Sequence, residues 1–162
     1  MAASEHEIAV QPPLLDRLID LEPLSGDPQQ TRAAAVRSLR EALRRDLEWL
    51  LNTRRTPLDL TKSFEELPLS VFNYGLPDFS ALSANAPKDR QKLLAELERT
   101  ISLFEPRLRN VRVVLVEGSG VGTRMLRFQI EGSLQVDPSP EHISFDGELQ
   151  LASGEYQLRG ER

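Results

Sequence analysis

Apolar residues recur at steps of three and four through the first two thirds of the chain and at steps of two in the last third, the change falling near Pro106. The first spacing keeps apolar side chains on one face of a helix, the second on one face of a strand. After Pro12 and Pro13, the run LLDRLIDL sets Leu14, Leu15, Leu18 and Ile19 on one face and predicts a short amphipathic helix. Pro23, Gly26 and Pro28 punctuate the next stretch as a loop. Asp27-Pro28-Gln29-Gln30 offers a capping carboxylate, a proline at the first helical position and a glutamine at the third, so a second helix is expected to start there. Val36, Leu39, Leu43, Leu47 and Leu50 form its stripe, with Arg37, Arg40, Glu41, Arg44, Arg45 and Glu48 opposite, and its end is expected near Asn52. Trp49 lies off this stripe; its size favours burial in a widened core face, the alternative being contact with a neighbour.

Between residues 53 and 86, Pro57, Pro68, Gly75 and Pro77 preclude long regular elements. The segment is nonetheless apolar: Leu58, Leu60, Phe64, Leu67, Leu69, Val71, Phe72, Tyr74, Leu76 and Phe79 must pack on the helices or against another protein, with local core the expected place of Tyr74. A third helix is predicted from Ala86-Pro87 to Phe104, with Leu93, Leu94, Leu97, Ile101 and Phe104 on its stripe, and Pro106 stops it. Val111, Val113 and Leu115 then alternate in a first strand. Leu126, Phe128, Ile130, Leu134 and Val136 alternate in a second, whose Arg127, Gln129, Glu131, Ser133 and Gln135 point outward. Gly118-Ser119-Gly120 reads as the hairpin loop between them. Asp137-Pro138-Ser139-Pro140 breaks the second strand, Ile143, Phe145, Leu149 and Leu151 make a third, and Ser153-Gly154 turns into a last run, Tyr156-Gln157-Leu158.

Helices first and strands last define an α+β fold, with N-terminal helices packed on a small, mainly antiparallel C-terminal sheet of three or four strands; this order argues against a parallel nucleotide-binding core. Such a sheet has exposed edge strands, although alternation does not say which. Gln129 and Gln150 are the positions where the pattern suggests a proline to test strand addition. Residues 1–12 are polar without periodicity and are expected to be a flexible N-terminus. Residues 13–162 are expected to be one domain, since 162 residues, 40% hydrophobic and 28% charged, suit a single globular unit.

The net charge of −5 arises wholly within residues 131–162, where seven acids face Arg159 and Arg162. That leaves no basic footprint for a phosphate backbone, so no nucleic acid is expected and a basic or neutral protein partner suits better. No apolar run exceeds the four residues of Val113 to Val116, against the ~20 of a membrane span. MAASEHEIAV has neither the basic region nor the apolar core of a secretory signal, so the cytosol is the expected location, without membrane insertion.

Without cysteine there is no thiolate nucleophile, disulfide or Cys-ligated zinc, and His6 and His142 stand alone, so no cofactor or metal is expected. Gly118-Ser119-Gly120-Val121-Gly122 lacks the lysine and the strand-to-helix setting of a phosphate loop. His142, read as a loop histidine, has no G-x-S-x-G elbow near it. Two carboxylates for glycoside hydrolysis can be drawn from Glu105 and Glu117, but among 25 acids some such pair is inevitable, and no sugar-stacking aromatic cluster accompanies them. Glu105-Pro106-Arg107 is the sharpest local feature, a proline fixing the backbone between opposite charges at a helix-to-strand junction. Two readings stay open: a corner that docks a partner, or a clasp whose charges satisfy each other or nearby backbone groups.

Four stretches, LLDRL (Leu14 to Leu18), RRDLEWLLNTRR (Arg44 to Arg55), SVFNYGLPD (Ser70 to Asp78) and FEPRL (Phe104 to Leu108), occur in an order and spacing that resemble the TssE family. These are type VI secretion baseplate subunits related to the wedge protein of contractile phage tails, in a domain family often labelled lysozyme-like. The resemblance runs from about Leu14 to the C-terminus and is poorest in residues 1–12 and beyond Val136. It implies a non-enzymatic role: a wedge component that joins TssF, TssG and TssK in a ring-shaped baseplate holding several copies, and gives the contractile TssB–TssC sheath its first attachment ring. It further implies that Glu105, Pro106 and Arg107 contact the wedge core and that the C-terminal sheet accepts sheath strands by β-augmentation. The alternative that the family label carries is a peptidoglycan-cleaving muramidase. A cytosolic adaptor unrelated to secretion would require the four stretches to coincide by chance.

Overall fold

The computed structural model describes residues 14–19, 31–57, 64, 66–79, 86–116 and 125–160. The N-terminal residues 1–12, the helix-start signal at Asp27 to Gln30, Leu58, Leu60, Glu117 and the glycine-rich run 118–122 lie outside them. The elements are α1 (Leu14–Leu18), α2 (Arg32–Asn52), two single 3-10 turns (Leu67–Leu69 and Val71–Asn73), α3 (Pro87–Phe104), and strands β1 (Leu108–Leu115), β2 (Met125–Leu134), β3 (Glu141–Gln150) and β4 (Glu155–Gly160). The strands form one antiparallel meander in the order β1-β2-β3-β4, which makes the fold α+β with the helices ahead of the sheet.

α2 starts later than the proline signal suggests. Thr31 is extended, at φ −63° and ψ 150°, and its Oγ1 accepts the Ala34 N–H at 3.3 Å, so Thr31 is the cap and no helix runs through it from Pro28. The helix ends at Asn52 and α3 spans Pro87 to Phe104, both where the periodicity puts them. β1 begins at Leu108, three residues before the alternation becomes visible, because Asn110, at φ 53°, sits in an irregularity between Arg109 and Arg112 that breaks the period. Leu151 falls in the turn after β3 and is exposed, and His142 is a strand residue rather than a loop one.

Leu43, Leu47, Leu50 and Leu51 of α2 and Leu93, Leu97 and Ile101 of α3 bury one face of the sheet, formed by Leu126, Phe128, Ile130, Leu134, Ile143, Phe145, Leu149, Tyr156 and Leu158. α2 lies toward β4 and α3 toward β1. Phe128 fits because residue 147 is glycine: a Cβ there would stand 2.3 Å from its ring. The opposite face is polar, and Arg127, Glu148 and Arg159 form a ladder of ion pairs across β2, β3 and β4 at 3.3 and 3.4 Å.

The edge strands are therefore β1 and β4. Gln129 pairs with Val114 and Asp146, and Gln150 with Met125 and Glu155, so proline at either position breaks the sheet instead of testing an edge. Both true edges carry guards from the helices. The Asn52 side-chain amide accepts the Tyr156 N–H at 2.9 Å and donates to the Tyr156 carbonyl at 2.8 Å, as a strand residue would. Arg44 donates to the Leu158 carbonyl at 3.2 Å, and on β1 the Val113 N–H donates to Glu98 Oε1 at 2.7 Å.

Burial pushes the Tyr156 phenol up to about 12, against a weaker downward pull from Arg54. The folded chain holds it neutral relative to an unfolded value of 10.0, so its contribution to stability is complete below pH 10 and fades as pH rises toward 12, by about 2–3 kcal/mol. Denaturant unfolding between about pH 8 and about pH 12, with phenolate absorbance followed in parallel, should show the midpoint falling in that window as the phenol ionises. Ionisation near pH 10 with no loss of stability would contradict it.

Candidate functional site

Glu105 closes α3, its N–H donating to the Ile101 carbonyl at 2.8 Å and its own carbonyl accepting the Leu108 N–H at 3.2 Å. Pro106 cannot continue a helix, so Glu105 to Arg107 make the whole turn from α3 into β1. Arg107 folds back over that turn. Its Nε donates to Glu105 Oε1 at 2.6 Å, its Nη2 to Oε2 at 2.5 Å, and its backbone N–H to Oε1 at 3.2 Å. The same Nη2 reaches Asp46 Oδ2 of α2 at 2.7 Å.

From Asp46 the chain of charges continues. Its Oδ1 accepts from Arg45 at 3.0 and 3.2 Å, and Arg45 forks onto Asp16 of α1 at 2.8 and 3.2 Å. Asp16, Arg45, Asp46, Arg107 and Glu105 thus alternate in sign across α1, α2 and the α3–β1 corner. The bond to Glu105 holds the Arg107 guanidinium well above its ordinary range, against the opposing effect of burial and with Asp46 adding to it. Arg45 is likewise raised, first by its bond to Asp16.

Tyr74 joins the same place from the irregular segment. Its ring stands edge-on to Phe104 at 5.3 Å, and its phenol is raised by burial and then by the charges of Asp46 and Glu105. Gly75 makes this approach possible: it has φ +100°, and a Cβ there would stand 2.4 Å from the Thr53 carbonyl oxygen at the end of α2. Leu76 N–H donates to that carbonyl at 2.8 Å, Arg55 N–H returns to the Leu76 carbonyl at 2.9 Å, and the Leu76 side chain is fully buried.

The four stretches singled out in the sequence therefore meet: Asp16 comes from the first, Arg45 and Asp46 from the second, Tyr74 and Gly75 from the third, Glu105 and Arg107 from the fourth. Of the three corner residues, Glu105 is 5% exposed and wholly engaged, Pro106 is exposed, and the Arg107 side chain is about a quarter exposed, at 26%. Sequence reasoning overlooked Asp16 and Asp46, each of which lies within a noted stretch; a carboxylate beside Arg45 was the available signal for Asp46. Trp49 is not core but 54% exposed, lying under the Arg45 guanidinium at 5.2 Å. Leu14, Leu15, Leu18 and Ile19 also turn outward, so the stripe of α1 is not covered by the described residues. The segment around Tyr74 divides: Leu76 is buried and Tyr74 and Phe79 pack on the core, while Leu69 and Val71 are exposed, Val71 by 87%.

Glu105 faces a guanidinium and not the apolar wall that a general acid needs. Among the described residues no three His, Cys, Asp or Glu side chains group to hold a metal, and no helix is long and apolar enough to cross a membrane.

The family described as baseplate wedge protein gp25 matches residues 37–139, from the second turn of α2 to the turn after β2. The chain belongs to that family. Comparisons with curated proteins and with solved structures gave no match. As a baseplate wedge protein gp25 family member, the chain is a component of a phage-tail-like baseplate that assembles with other baseplate proteins. The matched region holds Arg45, Asp46, Tyr74, Glu105, Pro106 and Arg107; Asp16, β3 and β4 lie outside it.

Glu105→Gln is expected to lower the unfolding free energy by about 3 kcal/mol, since it leaves Arg107 without its closest counter-charge. Asp46→Asn, at a quarter-exposed group, should cost about 1 kcal/mol, and the double variant should differ from the sum by at least about 0.5 kcal/mol. Urea unfolding of the three variants checks this, and strict additivity would mean that the two carboxylates do not share Arg107.

Proposed function

We propose that this chain is a structural wedge subunit of a type VI secretion baseplate, similar in role to TssE. In this reading it joins TssF, TssG and TssK, occurs in several copies around a ring, and seeds the TssB–TssC sheath by strand addition to its C-terminal sheet. It acts on the cytoplasmic side, at a baseplate docked to the inner-membrane complex of a Gram-negative bacterium, and performs no catalysis.

The observation that carries the reading is the convergence of four separated stretches on one ion-pair chain with exposed apolar residues on the contributing elements. A rigid charged core ties α1, α2 and the α3–β1 corner into one unit, so a partner meets a preorganised surface and loses less freedom in binding it. Pro106 and the open side of Arg107 project from the corner, and Leu69 and Val71 stand on the turns just before Tyr74. Apolar and arginine side chains of this kind anchor protein interfaces. Glu105 contributes by holding Arg107, not by touching a partner.

Co-expression of the tagged chain with TssF, TssG and TssK should yield a complex that survives purification, and the same preparation should leave peptidoglycan intact. Val71→Asp and Pro106→Asp, both at exposed positions, should fold normally and weaken the complex by roughly tenfold or more. A complex unaffected by both would refute the assignment of this surface. Peptidoglycan clearing without a complex would turn the reading to a muramidase.

A further inference from the structure

A backbone insertion in β1 decides which of its side chains reach the polar face of the sheet. Arg109 pairs with Ser133 and Arg112 with Glu131, so β1 takes three steps where β2 takes two. Asn110 absorbs the extra residue at φ 53°, a left-handed conformation that asparagine adopts more readily than most side chains. Gly132 leaves room beside it: a Cβ there would stand 3.3 Å from Leu108 Cδ2 and 3.4 Å from the Arg109 carbonyl oxygen. Residues three apart on a regular strand point to opposite faces. The insertion cancels that parity. Leu108 and Val113 both reach the core, and Arg109 and Arg112 both reach the opposite face, about 7 Å apart, the length of the two-residue step on β2.

Both arginines are exposed, and neither side chain has a hydrogen bond or ion pair among the described residues. Elsewhere on this face the cations are matched, Arg127 and Arg159 sharing Glu148. Here two guanidinium groups have one carboxylate across from them, Glu131, and no ion pair with it. β1 is an edge strand, so among the described residues no further strand flanks them on the outer side. The β1–β2 pairing runs on to the corner, where the Gln135 N–H donates to the Arg107 carbonyl at 2.9 Å. The insertion also interrupts the main-chain ladder at Asn110, so a neighbour meets side chains at this place and not a regular strand edge.

We propose that Arg109 and Arg112 form a ridge that recognises an acidic helix of a neighbouring baseplate protein, one presenting carboxylates at positions i and i+4. Such residues have Cβ atoms about 5–6 Å apart on one helix face, which suits the spacing of the two arginines, and each guanidinium takes one carboxylate in its fork. A nucleic-acid backbone suits the ridge less well, because the chain carries a net charge of −5 and Glu131 stands within the group. This rests on the reading of the chain as a subunit that meets other baseplate proteins, to which it adds a contact of defined chemistry beside the corner.

The test titrates the whole chain, at low salt, with a terminally blocked, alanine-rich helical peptide of about 20 residues carrying glutamates at i and i+4. Saturable amide shifts are expected, centred on Arg109 to Arg112 and Ser133. The same peptide with glutamates at i and i+2, which lie on different faces, should bind at least about threefold more weakly, and a glutamine version should not saturate. Arg109→Gln combined with Arg112→Gln, at exposed and unpaired positions, should weaken binding at least about tenfold without moving the melting temperature. No saturable binding, equal binding of either control peptide, shifts centred on Arg37 and Arg40, or an unaffected double variant would overturn the proposal. Tighter binding of a single-stranded oligonucleotide of about ten thymidines would overturn it in favour of a phosphate site. Co-expression with TssF, TssG and TssK separates the ridge from the wedge reading. Peptide binding without any complex leaves the ridge and removes that reading. A complex that forms although the peptide fails to bind, or that is unaffected by Arg109→Glu combined with Arg112→Glu, leaves the reading and removes the ridge.

Discussion

Arg107 holds three parts of this chain to one another. α2 and α3 touch little directly; both lie on the apolar face of the sheet, α2 toward β4 and α3 toward β1. Beyond the core they share, a guanidinium ties the corner of α3 to α2, its planar fork closing on Glu105 while its outer nitrogen reaches Asp46, and the Arg55–Glu96 ion pair at 3.0 Å adds a second tie. A lysine has a single nitrogen and no fork, and could not hold both carboxylates in this geometry. Glu105, nearly sealed from water at the end of α3, is tolerable there only because that fork satisfies both of its oxygens. Within the chain Glu105 is engaged by Arg107, while Pro106 and one side of Arg107 stay exposed at the corner.

The rest of the architecture is arranged around that joint. Arg45 extends the charge chain to α1 and covers one face of Trp49, so an aromatic ring stays at the surface in contact with a cation. Gly75 lets the irregular segment cross close to the end of α2, which carries Leu76 into the core and Tyr74 to the two carboxylates. Below, the core is ordinary: leucines of two helices on the apolar face of a meander, with one glycine opposite one phenylalanine.

The two periodicities make the elements legible. β2 and β4 alternate cleanly because one face of the sheet is core and the other is water, and the stripes of α2 and α3 are visible for the same reason. The start of α2 is misread from sequence because Asp27-Pro28 satisfies the local rule as well as Thr31 does, and only backbone conformation decides between them. Trp49 is misread because its cover is a cation and not the core. The convergence of the four stretches is hidden for a geometric reason: Asp16 and Arg45 stand 29 residues apart and Asp46 and Arg107 stand 61, and no periodicity connects residues so far apart. The edges are equally hidden, since Asn52 reaches Tyr156 across 104 residues.

That last contact has a kinetic meaning. A proline or a tight bulge closes a sheet edge for good, whereas a side-chain amide standing in for a strand closes it only as long as nothing better arrives. The two hydrogen bonds between the Asn52 amide and the Tyr156 main chain, one donated and one accepted, contribute on the order of 1 kcal/mol each. β4 is accordingly latched, not sealed: its outward groups at Tyr156 and Leu158 are satisfied by side chains of α2, whose bonds open and close with the motion of single side chains.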